Sequence, residues 1–220
     1  MLSKFSACMY THFFASLSNA KKIAYLAVFI AMSVVMNSLI EINVSPTNKI
    51  TFTYLVCFFA GFLLGPLPGF LVGFLGDAIG FLIVPQDVYW LFGLTLGLSG
   101  ALAGICRKLP FRGKGGVFLK ACIFFVASYI LITFLLNSLV NYSYVYLFRW
   151  DKVAKKTFWI YLVGRLAFQS VVYGVNVAVC LAVLGVLVPK NVMNFFKDEL
   201  SADRDKSAVS LRAATGADGV

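Results

Sequence analysis

Residues 61–80 read GFLLGPLPGFLVGFLGDAIG, an apolar run broken by glycines, two prolines and one carboxylate, Asp77. In helical register Gly65, Gly69, Gly73 and Asp77 fall four apart, as do Gly76 and Gly80, so each row lies along one face. An interior glycine costs a soluble helix about 0.5–1 kcal/mol relative to alanine. Within a bilayer the same residues let helix backbones approach closely. The two rows therefore predict packed transmembrane helices, turned at Gly65-Pro66-Leu67-Pro68-Gly69 so that the flanking spans are adjacent and antiparallel. Asp77 is an ionisable group at membrane depth and needs a partner.

Composition agrees. Of 220 residues 60% are hydrophobic and only 13% charged, outside the range of ordinary soluble domains. A span takes about 20 apolar residues, and the runs are long without strand-like alternation, so helices are expected and a barrel is not. The expected fold is all-α: a compact bundle of six transmembrane helices over residues 21–190. A leader (1–20), cytoplasmic or interfacial, precedes it, and a cytoplasmic tail (191–220), partly disordered at its Ala/Ser/Gly-rich end, follows. The spans are placed at about 23–40, 50–64, 70–84, 91–105, 121–140 and 158–188. The formal charge of +10 would suggest nucleic acid in a soluble protein, but here the basic residues lie between apolar runs and in the tail, where topology and lipid headgroups account for them. Positive-inside counting puts the N-terminus, the 107–120 loop and the tail in the cytoplasm. The loop 149–156 breaks that rule with Arg149, Lys152, Lys155 and Lys156 against Asp151, and facing outward it would concentrate an anionic solute.

Enzymatic chemistry has little to build on. The one histidine, His12, is in the leader, and the five cysteines lack metal-ligand or disulfide spacing, so no catalytic residue, metal or cofactor is expected. Gly115-Gly116 is not followed by the Gly-Lys-Ser/Thr of a phosphate-binding loop, so any energised step needs a partner. The sharpest functional signal is on the last span, where Arg165, Gln169, Tyr173 and Asn176 form one polar stripe. A guanidinium keeps its proton, so within a bundle Arg165 must pair with a carboxylate or an anionic ligand. Two readings stay open: a structural ion pair with Asp77, or a clamp on an anionic ligand whose pocket the amides and the phenol complete. Asn137 and Asn141, one turn apart on the fifth span, add polar groups. Tyr89 and Trp90 of the 85–90 loop, with Tyr142, Tyr144 and Tyr146, offer either stacking faces or an interfacial belt.

These residues resemble a known family. Ala27-x-x-x-Ala31, the block from Gly65-Pro66 through Gly69, Gly73, Asp77 and Gly80, Pro85-x-x-x-Tyr89, and Gly93-Leu94-Thr95-Leu96 are similar to the S components of energy-coupling-factor (ECF) vitamin transporters, nearest the folate-type branch. The resemblance covers about residues 22–190 and is most specific over 61–104. It implies a multi-pass protein of the bacterial cytoplasmic membrane that captures a vitamin and works with a membrane T component and two cytoplasmic ATPases. It further implies that Ala27 and Ala31 face the T component, that 41–49 and 85–90 are substrate gates, and that Arg165 matches a basic position in the last helix. Asp87 departs from the folate-type loop, and the segment from Tyr89 to Gly93 is one residue longer. Pantothenate, queuosine-precursor and riboflavin branches therefore stand as alternatives, and an inert structural or assembly membrane protein is the rival outside transport.

Overall fold

The computed structural model describes residues 9–40, 42–45, 48–85, 91–111, 113–148 and 158–190. Contacts divide the chain into two units, Met1–Leu181 and Ala182–Val220; of the second, only the end of the last helix, to Lys190, is described. In chain order the elements are α1 (His12–Ser16), α2 (Asn19–Val34) running on as a π-helical turn (Val35–Leu39), strands β1 (Ile42–Ser45) and β2 (Asn48–Ile50), α3 (Thr53–Leu64), α4 (Pro66–Ile83) and α5 (Phe92–Arg107). Then come α6 (Gly113–Ala127), a π-helical stretch (Ser128–Asn137) that continues it into α7 (Ser138–Phe148), and α8 (Phe158–Lys190).

The helical class stands. Four helical runs among the described residues are long and apolar enough to cross a membrane: Asn19–Asn37, Pro66–Ile83, Gly115–Tyr144 and Phe168–Val186. Two more apolar helices, Thr53–Leu64 and Phe92–Arg107, are shorter, so the six expected spans divide into four long and two short. Two boundaries move for local reasons. α4 starts at Pro66 rather than near Phe70, because a proline in the first turn sacrifices no intrahelical hydrogen bond. α3 starts at Thr53 rather than Ile50, because the stretch expected as a plain loop folds into an antiparallel hairpin. Its register pairs Ile42 with Ile50, Asn43 with Lys49 and Ser45 with Asn48.

The α3–α4 turn is a single residue. Gly65 has φ 118°, open only to glycine without strain, and a Cβ there would come within 2.8 Å of the Met9 carbonyl oxygen. Beyond it the two glycine rows serve different neighbours. A Cβ on Gly69 would lie 2.6 Å from both Gly100 O and Gly61 Cα, and one on Gly73 would strike Leu96 O. Gly100 in turn abuts Gly69 O, and Gly104 abuts Pro66 N. α3, α4 and α5 thus meet backbone to backbone. Gly76 belongs to the other row and faces the hydroxyl of Ser33 on α2.

α2, through Leu26, Phe29 and Ile30, and its π-helical turn, through Met36, pack onto a core of Val56, Ala60 and Val72. Its other side, with Ile23, Ala27, Val28, Ala31 and Met32, is exposed, and α2 is the least buried of the four long spans. Between α3 and α6 a second core is aromatic: the Phe58 ring lies 5.2 Å from Phe62 and from Phe124 and 5.9 Å from Phe125.

The end of α3 at the Gly65 turn is closed by groups from two segments, the leader and the end of α5. Thr11 donates its backbone N–H to Leu64 O (3.1 Å) and its hydroxyl to Leu63 O (2.9 Å), while Arg107 donates to Phe62 O (2.7 Å) and Leu63 O (3.3 Å). Lys120, 8% exposed, donates to Arg107 O (2.7 Å) at the end of α5. Cations and hydroxyls thereby satisfy helix-terminal carbonyls that have no intrahelical partner, at the negative ends of the helix dipoles. Part of the leader is therefore folded against the helices: Phe14, one turn beyond Thr11, is 3% exposed.

Candidate functional site

Starting from α8, the predicted stripe is a buried face. Gln169, Tyr173 and Asn176 are 8%, 4% and 0% exposed. Arg165 is in α8 on the same register, but its side chain lies outside the described residues, as do Tyr89 and Trp90 entirely. Tyr173 is the hub. Its hydroxyl lies 3.1 Å from Ser128 Oγ and 2.9 Å from Thr133 Oγ1, and Ser128 Oγ lies 3.4 Å from Ser99 Oγ on α5. Thr133 is also 3.3 Å from the Tyr54 hydroxyl on α3, which accepts from Asn137 Nδ2 at 3.4 Å. The Tyr54 and Tyr173 rings stand 4.9 Å apart, and Tyr129 meets Tyr173 edge-on at 5.2 Å. Asn141, one turn past Asn137, is half-buried on α7.

α3, α5, the π stretch and α8 therefore converge on an uncharged cluster of phenols, hydroxyls and amides. Its pattern was hidden in the sequence by helix geometry. Ser128, Thr133 and Ser138 are all buried but spaced by five, which turns an α-helix by about 140° and would scatter them over its surface. In a π-helix, bonded i to i+5, that spacing comes back nearly to the same face. The Ser138 hydroxyl donates to Thr133 O at 3.0 Å, spanning that five-residue step.

Asn176 uses its amide differently. Nδ2 donates to two main-chain carbonyls, Val172 O at 2.9 Å and Thr51 O at 3.0 Å, while Oδ1 is buried without a partner. Asp77, half-buried on α4, accepts from Asn37 Nδ2 at 3.0 Å, and the Asn37 amide oxygen receives the Thr53 hydroxyl at 3.4 Å. One partner of Asp77 is thus Asn37, on the π-helical turn that ends α2, a residue the sequence reading passed over. Tyr54, Thr53, Ser99, Ser128 and Thr133 were missed as well. The signal for Thr53-Tyr54 was present: two polar residues opening an apolar run directly after a polar loop. Among the described residues no group of three or more His, Cys, Asp or Glu side chains is placed to hold a metal. Of the cysteines, Cys57, Cys106 and Cys180 are buried and Cys122 is exposed.

Residues 17–190 match the family model of the ECF-type riboflavin transporter S component. The chain belongs to that S-component family. Membership places it among membrane-transport subunits and not among enzymes. Two solved structures share the fold. One is FolT bound with folic acid, with a TM-score of 0.58 and 24% identity, covering 75% of this chain and 93% of that one. The other is the S component of a bacterial ECF transporter, with a TM-score of 0.57 and 18% identity, covering 82% of this chain and 99% of that one. A curated relative from Mycoplasma pneumoniae, described as an uncharacterized protein MG313 homolog, is 29% identical over 89 residues, 40% of this chain. The match spans about a third (31%) of that relative's length.

Proposed function

We propose that this S component is the substrate-capture subunit of an ATP-driven vitamin importer and takes a flat heteroaromatic vitamin, folate or a related anion first. The observation that carries this reading is the Tyr54–Tyr173 cluster, where ring faces, hydroxyls and amides from α3, α5, the π stretch and α8 converge. Such a lining stacks on a ring and reads its polar edge. Asn176 Oδ1, Gln169, Asn137 and Asn141 supply amides for that edge, Arg165 the counter-charge for a carboxylate, and Tyr89 and Trp90 a cover from the 85–90 loop. The fold shared with FolT supports a folate-like ligand. Riboflavin is the second reading, favoured by the family model and by the absence of charge in the described lining. Titration of the protein in nanodiscs, followed by intrinsic tryptophan fluorescence, tests both. Saturable quenching by folate and none by pantothenate is expected. Saturation by riboflavin alone moves the substrate to the second reading, and no response to any vitamin overturns the capture function.

The energising partners are a membrane T component and two ATPases, in a cytoplasmic membrane crossed several times by this chain. Ala27 and Ala31 offer the T component a smooth strip on the least buried of the long spans. Substituting both with leucine is expected to abolish uptake into proteoliposomes carrying the full complex while leaving vitamin affinity within about twofold, since the strip touches no ligand group and surface changes are usually within ±0.5 kcal/mol. Loss of binding in the isolated subunit would make that face structural instead.

A further inference from the structure

Each hydroxyl has one proton to donate, and in the Tyr54–Tyr173 cluster the protons outnumber the acceptors. Five hydroxyls, on Ser99, Ser128, Tyr173, Thr133 and Tyr54, are joined in that order by four hydrogen bonds of 3.4, 3.1, 2.9 and 3.3 Å. At least one proton therefore finds no acceptor within the chain of hydroxyls. The sense of the bonds assigns it. Asn137 Nδ2 can only donate, and it donates to the Tyr54 oxygen at 3.4 Å. Thr133 stands as donor to both tyrosines. Tyr54 thus accepts twice, and among the described residues nothing accepts from its own O–H, whichever way the Ser99, Ser128 and Tyr173 hydroxyls are turned. Tyr54 is 6% exposed, so bulk water has little access to that proton, and a buried donor without an acceptor is costly. Tyr54 also stands in the first turn of α3, where no side chain caps the helix and the positive end of its dipole favours an acceptor.

We propose that Tyr54 is a ligand-binding residue whose phenolic O–H donates to a ring carbonyl oxygen of the bound vitamin. The ligand supplies the acceptor that the cluster lacks. It brings it on a neutral group, because the described side chains around Tyr54 carry no charge to meet an anion. A flat ring set beside Tyr54 and Tyr173, whose own rings stand 4.9 Å apart, can place an in-plane oxygen against the phenol. Asn137 and Thr133 occupy the acceptor side of the Tyr54 oxygen, so its proton is left for the ligand. A ring amine at that point would set donor against donor and leave both unpaired. The donor sense of Tyr54 stands on the hydrogen bonds alone; its ligand rests on the vitamin-capture reading.

Tyr54→Phe keeps the ring and removes the proton. In nanodiscs and without vitamin, the full-length variant is expected to melt within about 4 °C of the parent. Its affinity for whichever of folate and riboflavin saturates the parent is expected to fall about tenfold, the loss of one buried hydrogen bond. Infrared difference spectra of that vitamin, bound and labelled with carbon-13 at its ring carbonyl, read the bond itself. A carbonyl that accepts a hydrogen bond absorbs at lower wavenumber, so its band should rise in Tyr54→Phe. Tyr129→Phe is the control, since the Tyr129 hydroxyl already has Ser170 Oγ at 2.7 Å, and there the band should stay in place. A band that does not move in Tyr54→Phe, or that moves equally in Tyr129→Phe, overturns the proposal and leaves vitamin capture standing. A Tyr54→Phe protein too unstable to measure overturns it as well, because the hydroxyl would then be holding the helices together. If neither vitamin saturates the parent, the capture reading fails and the proposal falls with it.

Discussion

Gly100→Ala is expected to abolish most of the folded protein, although it adds one methyl group to a helix and raises intrinsic helix propensity. That methyl would be driven into the Gly69 carbonyl, with Gly69 Cα 3.1 Å away, and both are backbone atoms that no rotamer change can move. Gly69 is itself pinned by Gly61, and Gly104 by Pro66, so α4 cannot retreat from α5 without opening the contacts along the whole seam. Overpacking a close-packed site costs about 1–3 kcal/mol and more where the backbone must shift, which is a large part of a marginal stability. Gly174→Ala is the matched control: nothing lies within 4 Å of a Cβ there, and the change should be neutral or stabilise by up to about 1 kcal/mol. The measurement is the fraction of monodisperse protein after detergent extraction, with the thermal midpoint of what survives. A Gly100→Ala protein that melts with the parent would show that the seam can open at no cost.

That seam is also where the sequence was most legible. Small residues at four-residue spacing have one good physical explanation in an apolar helix, and the structure puts each row against a different neighbour, α5 for Gly69 and Gly73 and α2 for Gly76. The buried stripe on α8 was legible for the same reason: Gln169, Tyr173 and Asn176 obey α-helical periodicity, and all are buried. What resisted reading departs from that period or depends on contacts between distant segments. Ser128 and Thr133 lie in a π-helical stretch, where a search at three-to-four spacing finds no face. Asn37 lies in the other π-helical turn, and its role follows only from α2, α3 and α4 meeting at Asp77. The hairpin was masked differently, since seven strand residues between two spans carry too little alternation to be told from a loop. Arg107 shows a third limit: a loop arginine looks like a topology signal until the carbonyls at the end of α3 are seen to need donors.

Arg165→Ala is expected to weaken folate binding about 100-fold, the order of a lost charge-assisted contact in a closed site, while riboflavin binding changes little. Arg165→Lys should recover part of the loss, because it restores the charge but not the planar two-pronged geometry that suits a carboxylate. Calorimetric titration of both vitamins against the three proteins reads this directly, and an unchanged folate affinity in Arg165→Ala removes the clamp. The competing role, an ion pair with Asp77, makes the opposite pattern. Deleting one partner of a buried pair leaves an uncompensated charge, costing about 3–5 kcal/mol of stability, and deleting both restores much of it. Under that role Asp77→Asn would destabilise the fold as severely as Arg165→Ala, and the double variant would recover. With Asn37 as a partner of Asp77, the asparagine replacement still accepts the Asn37 amide, so Asp77→Asn should retain its thermal midpoint and Arg165→Ala should lose affinity without losing fold. Stability and affinity thus separate in one pair of variants, and they assign the arginine to the ligand or to the bundle.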